Sequence, residues 1–198
     1  MDARREVFLT SEVSGSPWPK ACVFRYIDAS PEEAAAVFTD YERHREYIPE
    51  LRKAKLSRRI DPLTVEVDYT LRVPIVSDED YTVRNHLSTG DEGASYRVQW
   101  TLVRATSTKA TEGSVRFEPH TVGGSGRSGT LMAYCNQVTP GSRLAGLRFI
   151  RSRALKQTRE AARAIVAEVE RVRLADRELL DGELRALRAA LGRVAPQR

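Results

Sequence analysis

Residues 143–172 read RLAGLRFIRSRALKQTREAARAIVAEVERV, and this stretch decides the fold. Its apolar side chains recur at the 3.6-residue spacing of one helix face, and charged residues occupy the opposite face. The apolar stripe comprises Leu144, Leu147, Leu155, Ala162, Ile165, Val166, Val169 and Val172. Earlier segments have strand-like patterns instead. The sequence therefore predicts one long C-terminal helix laid across a curved antiparallel sheet, with space for a cavity between the two.

Seven strands are expected before this helix. They are placed at about 20–28, 51–59, 63–73, 80–88, 95–104, 113–119 and 130–139. Within 95–104, the apolar residues Tyr96, Val98 and Trp100 alternate with polar ones, so one face of the strand is apolar and the other polar. This pattern is typical of an antiparallel sheet that is covered on one side only. Turn-rich connections between the strands predict that neighbours pair as hairpins.

Two short helices are expected after the first strand. Ser30 can act as the N-cap of the first, with Pro31 at its first position and Glu33 completing a capping box. The second, at 41–47, ends before Pro49 because the residue before a proline avoids helical geometry. The order of elements predicts an α+β, helix-grip architecture.

Three regions are predicted along the chain. Residues 1–19 form an N-terminal arm, in which Pro17 and Pro19 flank Trp18 and block both a helix and a central strand. Residues 20–172 form the domain, and 173–198 form a helical tail. Asp181 could cap a second helix there, unless the long helix simply continues. The tail carries a leucine stripe that packs on its own domain or on a partner: Leu179, Leu180, Leu184, Leu187 and Leu191.

Three segments resemble the START-like (SRPBCC) superfamily, which includes Bet v 1 pollen allergens, polyketide cyclase/dehydrase proteins and coenzyme Q-binding proteins. They are IDASPEEAAAVFTDYERHREYIPEL at 27–51, VPIVSDEDYTVR at 73–84 and LRFIRSRALKQTREAARAIVAEVE at 147–170. The resemblance spans about residues 20–172 and implies a helix-grip fold that encloses a cavity. It implies no particular activity, because members of the superfamily share a cavity and no catalytic signature.

The composition is that of a soluble globular protein. Of the 198 residues, 41% are hydrophobic and 30% charged, with a net charge of +5. The positive charge is concentrated in residues 143–198, with 14 Lys and Arg against 7 Asp and Glu, which suggests an acidic partner, a membrane surface or a solvated helix face. No signal peptide is recognisable, so a cytoplasmic location is expected, or a periplasmic one if a leader preceded Met1. Cys22 and Cys135 are read as small core residues rather than a disulfide.

Motifs for metal or nucleotide chemistry fail on context. Residues 124–129 fit G-x-G-x-x-G, but a strand follows them where a dinucleotide site needs a helix. His44, His86 and His120 share no ligand spacing, and the acidic run 78–80 is interpreted as a solvated turn. No metal and no cofactor are therefore expected. Nucleic acid is not expected as a partner, because the basic helix start lacks interleaved aromatic residues.

The candidate ligand-binding residues lie on the face of the sheet that looks toward the helix. Aromatic hydroxyls and one amide on an otherwise apolar face are the mixture that a small-molecule pocket requires. These candidates are Tyr69, Tyr81, Asn85, Tyr96, Trp100, Tyr134, Arg151 and Leu155. The alternative for each is ordinary core packing with satisfied hydrogen bonds. Arg151 interrupts the apolar helix stripe, so it either grips an anionic ligand or extends to the rim of the cavity.

The leading hypothesis is a non-enzymatic protein that binds or transports a lipid-like or polycyclic hydrophobic molecule. The first alternative is a cofactor-free polyketide-type cyclase or dehydratase in which Tyr69, Tyr81 or Arg151 positions the substrate and stabilises an enolate. The second is an interaction module that acts through the leucine-rich tail, for example as a homodimer. Peripheral membrane contact is considered through four basic residues: Arg143, Arg148, Arg153 and Lys156.

Overall fold

A computed structural model describes residues 6–73, 78–123, 126–141 and 148–193. The strands are β1 (Val7–Ser11), β2 (Lys20–Ile27), β3 (Leu51–Arg59), β4 (Thr64–Leu71), β5 (Glu79–Gly90), β6 (Ser95–Ala105), β7 (Thr108–Thr121) and β8 (Ser128–Pro140). The helices are α1 (Pro31–Thr39), α2 (His44–Tyr47), α3 (Arg148–Ala175) and α4 (Arg177–Ala190), with 3-10 turns at Tyr41–Arg43 and Asp91–Gly93. The α+β helix-grip architecture is confirmed.

The described strands form one antiparallel sheet in the order β1-β2-β8-β7-β6-β5-β4-β3. It has eight strands and not the predicted seven. The extra strand is β1, part of the expected N-terminal arm, which pairs with β2 from Val7↔Phe24 to Ser11↔Lys20. This pairing gives hydrogen-bond partners to an edge of β2 that would otherwise be open. The arm therefore extends the sheet before it reaches its proline-rich segment.

The predicted capping box begins α1. Ser30 Oγ accepts a hydrogen bond from Glu33 N at 3.2 Å, and Glu33 Oε2 accepts one from Ser30 N at 2.8 Å. Both bonds satisfy donors that the first helical turn cannot use. The cap directs the apolar side of α1, including Val37 and Phe38, into the core.

The long helix α3 has two halves with different surroundings. Its C-terminal half buries Ala162, Ile165, Val169 and Val172 against the sheet and α1, as the periodicity predicted. Its N-terminal half lies beside a cavity. The predicted first turn of the helix, residues 143–147, falls outside the described residues.

The tail packs on its own domain. A separate helix, α4, begins after Asp176, whose side chain accepts a hydrogen bond from Leu179 N at 3.2 Å, so the prediction of Asp181 as the cap was wrong. Leu180 and Leu187 lie in the core of the domain, and the other leucines of the stripe pack against it. Arg188 also pairs with Glu32 of α1 at 2.6 Å. The leucine stripe suggested a homodimer because it needed a surface to cover it, and the domain itself provides that surface.

The two cysteines form a disulfide between β2 and β8, so the reading of them as unpaired core residues was wrong. Cys22 and Cys135 are directly opposite each other in the ladder, with Cα atoms 4.1 Å apart. Their neighbours Val23 and Tyr134 face α3 and the cavity, so alternation places the disulfide on the outer face of the sheet. The separation of 113 residues concealed this proximity, because register cannot be read from spacing.

Among the described residues, no helix is long and apolar enough to cross a bilayer.

Candidate functional site

The cavity lies between the N-terminal half of α3 and the inner face of the sheet, and has a volume of about 230 Å³. Side chains of β4, β5, β6 and β8 form one wall, and α3 supplies Ile150, Ala154, Thr158 and Ala161 to the other. Most of the lining is aliphatic or aromatic. At one end, which we call the rim, β4 ends, β5 begins and the exposed Arg72 contributes to the lining.

Five of the eight predicted site residues line this cavity. They are Tyr69, Tyr81, Asn85, Trp100 and Tyr134. Alternation along β4, β5, β6 and β8 brings them to one face, as the sequence pattern indicated. Their placement agrees with the hypothesis, and their binding of a ligand stays a prediction.

Tyr96 lies in the core instead. It is buried near the start of β6, where Arg193 Nη1 donates a hydrogen bond to its hydroxyl at 3.0 Å. Tyr96 obeys the same alternation as Trp100 but lies four residues away along β6, beyond the cavity. The periodicity that selected its face could not give its position along the strand.

Arg151 and Leu155 do not line the cavity either. Arg151 is exposed and Leu155 is half-buried, while Ile150, Ala154 and Thr158 face the sheet. In the N-terminal half of α3 the predicted stripe was off by one residue, because it followed the leucines; in the C-terminal half it was right. Next to a cavity, the inward face of a helix carries small residues, which leave space rather than fill it.

His44 lies in the cavity wall, and sequence reasoning had not included it in the site. Its ring is only 4% exposed, and burial lowers its pKa to about 4, with the hydrogen bond to Phe38 opposing that effect in part. Nε2 lies 2.8 Å from the carbonyl oxygen of Phe38, and Nδ1 lies 3.0 Å from Tyr69 Oη. Since a carbonyl only accepts, Nε2 carries the proton and donates, and Nδ1 accepts from the Tyr69 hydroxyl.

The tyrosines of the cavity keep their protons. Burial raises the pKa of Tyr134 to about 12, and the pKa of Tyr69 and Tyr81 also lies above the ordinary value because of burial. The rings of Tyr69 and Tyr81 are 5.4 Å apart. At neutral pH these side chains are therefore polar but uncharged.

Trp100 depends on a glycine for its position. Its Nε1 donates to Asn136 Oδ1 at 3.2 Å, across the intervening strand β7. The indole can lie over β7 because Gly113 has no side chain there, and a Cβ would come within 2.4 Å of the ring. Nothing in the strand pattern of the sequence marked this glycine as part of the site.

Glu79 is buried at the rim of the cavity, whereas the sequence pattern had predicted an exposed position. The acidic run 78–80 was interpreted as a solvated turn, yet Glu79 is only 7% exposed. Its carboxylate accepts hydrogen bonds from Ser107 N at 3.0 Å and Thr108 N at 2.8 Å, and from the Ser107 hydroxyl. Glu79 thus holds the turn between β6 and β7 against the rim, and a short polar run gave no sign of this.

The rim carries the charged groups of the site. Arg153 pairs with Glu50, and the Glu79 carboxylate accepts hydrogen bonds from the β6–β7 turn. Among the described residues, no group of three His, Cys, Asp or Glu side chains could hold a metal ion. The chemistry that these residues offer is hydrogen bonding inside an apolar cavity.

Three solved structures share this architecture at low sequence identity. A STAR-related lipid transfer protein (fragment 25-204) from Xanthomonas axonopodis has a TM-score of 0.69 at 14% identity, over 85% of this chain and 96% of that one. Human STARD10 has a TM-score of 0.70 at 13% identity, over 96% and 78%. The Zhui aromatase/cyclase from Streptomyces sp. R1128 has a TM-score of 0.58 at 14% identity, over 86% and 96%. These similarities establish the fold.

Comparison with curated proteins finds no significant match. The profile of the family described as "Polyketide cyclase / dehydrase and lipid transport" matches residues 19–175, which is most of the chain. This match agrees with the helix-grip fold, the inner cavity and the START-like structural neighbours. The chain therefore belongs to the polyketide cyclase / dehydrase and lipid transport family, within the START-like superfamily.

Proposed function

We propose that the protein binds or carries a hydrophobic small molecule, lipid-like or polycyclic, inside the cavity between α3 and the sheet. One observation carries this proposal: a volume of about 230 Å³ is left open beside five aromatic and amide side chains, between α3 and the sheet. Burial of apolar ligand surface would supply the affinity, at roughly 25 cal/mol per Å². The family description and the lipid-transfer neighbours support it.

The volume favours a compact ligand. Pockets for drug-sized molecules hold about 300–1,000 Å³, and the cavity lies slightly below that range. A molecule of a few fused rings or a single short chain suits it better than a lipid with two long chains.

Native mass spectrometry of the purified protein tests the proposal, followed by solvent extraction and identification of the released molecule. We expect a non-covalent adduct that is lost on denaturation. A protein that carries no adduct and takes up none from a panel of apolar ring compounds would contradict the proposal.

A matched pair of variants links binding to this cavity. Ala154 lines the cavity, whereas Ala167 lies on the exposed side of the same helix. Ala154→Phe should fill the space and abolish uptake, and Ala167→Phe should bind like the wild type. Equal binding by both variants would place the ligand elsewhere.

A cofactor-free cyclase or dehydratase is the second candidate, and the contact between His44 and Tyr69 favours it. A substrate hydroxyl could give a proton to Tyr69 Oη while Tyr69 gives its own proton to His44 Nδ1, 3.0 Å away. The low pKa of His44 makes it a weak base, which argues for orientation over proton abstraction. The family description and the aromatase/cyclase neighbour support this candidate.

Turnover of a linear poly-β-ketone by the purified protein tests the enzymatic candidate. Tyr69→Phe should abolish turnover and leave binding of the ketone intact. Binding without turnover in the wild type would leave only the carrier function.

Peripheral membrane contact at the start of α3 would give a carrier access to its ligand. Phe149 is 48% exposed, Arg148 and Arg151 are exposed beside it, and the next residue, Ile150, lines the cavity. Of the other basic residues considered, Arg153 and Lys156 pair with Glu50 and Glu160, and Arg143 lies outside the described residues. An aromatic side chain between cations suits an anionic membrane surface.

Co-sedimentation with vesicles of anionic phospholipid at low salt tests this contact. The bound fraction should fall when Phe149 and Arg148 are replaced by alanine. Replacement of Leu174, which is exposed at the other end of α3, should leave it unchanged. Wild-type protein that stays in the supernatant would contradict the idea.

The disulfide bears on the compartment. Disulfides persist in oxidising environments and are rare in the cytosol. We therefore propose an oxidising compartment such as the periplasm, in preference to the cytoplasm.

A further inference from the structure

Trp18 is the one described lining residue of the cavity that lies outside the match to the family profile. The profile matches residues 19–175, and the other described residues of the lining fall between Phe38 and Ala161. Trp18 belongs to the N-terminal arm, which forms β1 and then returns along the chain to the start of β2. The arm of this chain thus adds one large aromatic side chain to a cavity that the rest of the domain builds.

Trp18 lies toward the rim of the cavity. Its carbonyl oxygen accepts a hydrogen bond at 3.0 Å from Gln137 Nε2, near the end of β8. The same strand ends at Pro140, a lining residue that pairs in register with Thr108. Thr108 N in turn donates to the carboxylate of Glu79 at the rim, at 2.8 Å. The part of the wall beside Trp18 therefore belongs to the end of the sheet that carries the rim.

The backbone around Trp18 is anchored to β8. Gln137, whose side chain is buried, donates from Nε2 to Ser16 Oγ at 2.8 Å as well as to the Trp18 carbonyl. Ser16 Oγ itself donates to that carbonyl at 3.0 Å. Pro17 and Pro19 fix φ on both sides of Trp18. These contacts hold Trp18 at one position along the wall.

The first part of the arm is tied to α3. Glu6 Oε1 accepts a hydrogen bond from Arg159 Nη2 at 2.8 Å, and Glu6 Oε2 accepts one from Arg163 Nε at 2.7 Å. The Arg159 guanidinium also lies 5.0 Å from the centre of the Phe8 ring. Between these contacts and Trp18, β1 pairs with β2 over five residues. Because the arm is held at both ends, Trp18 is a fixed part of the wall.

Trp18 lines the cavity without joining the main hydrophobic core. It is only 6% exposed, yet the cluster of buried core residues includes Trp100 and does not include Trp18. Its Nε1 has no hydrogen-bond partner among the described residues, so packing alone holds the ring. Tryptophan has the largest side chain of all, and any replacement would leave more room at this place in the wall.

We propose that Trp18 sets the upper size limit for the molecule that the cavity accepts. This inference rests on the proposed function and adds to it a specificity-determining residue, which the arm supplies. An apolar cavity of about 150 Å³ holds one benzene ring, and an indole is larger than benzene. Trp18→Ala should therefore enlarge the cavity of about 230 Å³ by roughly the space that one ring needs.

A series of n-alkylbenzenes of increasing chain length measures this limit by calorimetric titration. The affinity of the wild type should rise about fourfold with each methylene group, until the cavity is full and the rise stops. Trp18→Phe should move that stop to a longer chain, and Trp18→Ala should move it further, by several methylene groups.

Leu9→Ala is the matched control, since Leu9 belongs to the same arm but is 56% exposed. This variant should keep the wild-type limit. Thermal unfolding confirms that each variant is folded. Trp18→Phe keeps an aromatic ring at the position, so it tests the inference even where the alanine variant does not fold.

The outcomes separate this inference from the proposed function. Binding by the wild type with the same chain-length limit in both Trp18 variants would overturn the inference and leave a carrier of apolar molecules. A limit that moves equally in Leu9→Ala would also overturn it, because loosening of the arm would then explain the change. Wild-type protein that binds no member of the series would count against the inference and the proposed function together.

Discussion

The Nδ1 atom of His44 lies 3.0 Å from the hydroxyl oxygen of Tyr69, and the two rings are parallel within 7°. This contact joins the short helix α2 to strand β4 inside the cavity wall. The direction of each proton follows from the second contact of the ring, because Nε2 carries the one N–H of the imidazole and donates it to the Phe38 carbonyl, which leaves Nδ1 as an acceptor. Tyr69 therefore points its proton at His44 and can only accept from a ligand.

Tyr69→Phe should destabilise the fold by about 1–3 kcal/mol, because a buried imidazole nitrogen loses its partner. Tyr81→Phe is the matched control: its ring lies 5.4 Å away, and its hydroxyl bonds no described residue. That change should cost much less. Urea unfolding followed by circular dichroism gives both values, and equal costs would show that the bond to His44 contributes nothing.

His44 should make the fold sensitive to mild acid. Its pKa is about 4 in the folded state because burial disfavours the cation, and 6.5 is its ordinary value. The unfolded chain binds the proton first as pH falls, so this contribution is present above pH 6.5 and is lost toward pH 4. The loss totals about 3 kcal/mol, at 1.36 kcal/mol per pKa unit. The free energy of unfolding of a His44→Leu variant should fall less steeply between pH 6.5 and pH 4.

Glu183 should act in the opposite direction. It lies in α4, where burial raises its pKa to about 7, although Arg43 Nη1 donates to it at 2.7 Å and opposes that shift. The folded state takes up this proton before the unfolded state, so between pH 4.5 and pH 7 Glu183 lowers stability as pH rises. Glu183→Gln should remove as much as about 1.4 kcal/mol per pH unit of that slope. An unchanged slope in unfolding measurements across this range would refute the assignment.

Two glycine-to-alanine substitutions should have opposite effects. At Gly113 a Cβ would lie 2.4 Å from the Trp100 ring and 2.5 Å from the Cys135 carbonyl oxygen. Gly113→Ala should cost about 1–3 kcal/mol and shift the tryptophan emission, because the indole must move. At Gly182, in α4, a Cβ meets only the end of the Arg185 side chain, at 3.9 Å. Gly182→Ala should stabilise the protein by up to about 1 kcal/mol, and thermal unfolding distinguishes the two.

Loss of the Cys22–Cys135 disulfide should lower stability by about 2–5 kcal/mol, since it closes a long loop in the unfolded chain. The double serine variant and the reduced wild type should unfold at the same denaturant concentration. Thiol labelling of freshly lysed cells tests the compartment proposal: protected cysteines agree with an oxidising compartment, and fully labelled ones contradict it.

The sequence pattern predicted the helices and strands well, but it could not predict which residues of distant strands lie opposite each other. The capping box at Ser30, the alternation around Trp100 and the apolar C-terminal half of α3 all depend on neighbours within a few residues. The register that joins Cys22 to Cys135 depends on residues far apart in the chain. Periodicity could not predict it, because pairing of distant strands is set by the whole sheet.

The site was harder to predict for a similar reason. Tyr69 and Trp100 followed from alternation alone. His44 and Gly113 did not, since one comes from a short helix and the other acts by lacking a side chain. Arg151 and Leu155 were chosen on the assumption that a helix packs its bulky side chains inward, and that assumption fails beside a cavity.

The wall that α3 presents to the cavity consists largely of short side chains, including Ala154, Thr158 and Ala161. A single substitution there changes how large a guest can enter and leaves every strand of the sheet in place. Such a fold can acquire new ligands through mutations in about two helical turns, while its framework stays in place. Proteins of this architecture that share only about one residue in seven could therefore keep the same fold and differ in the ligands that they bind.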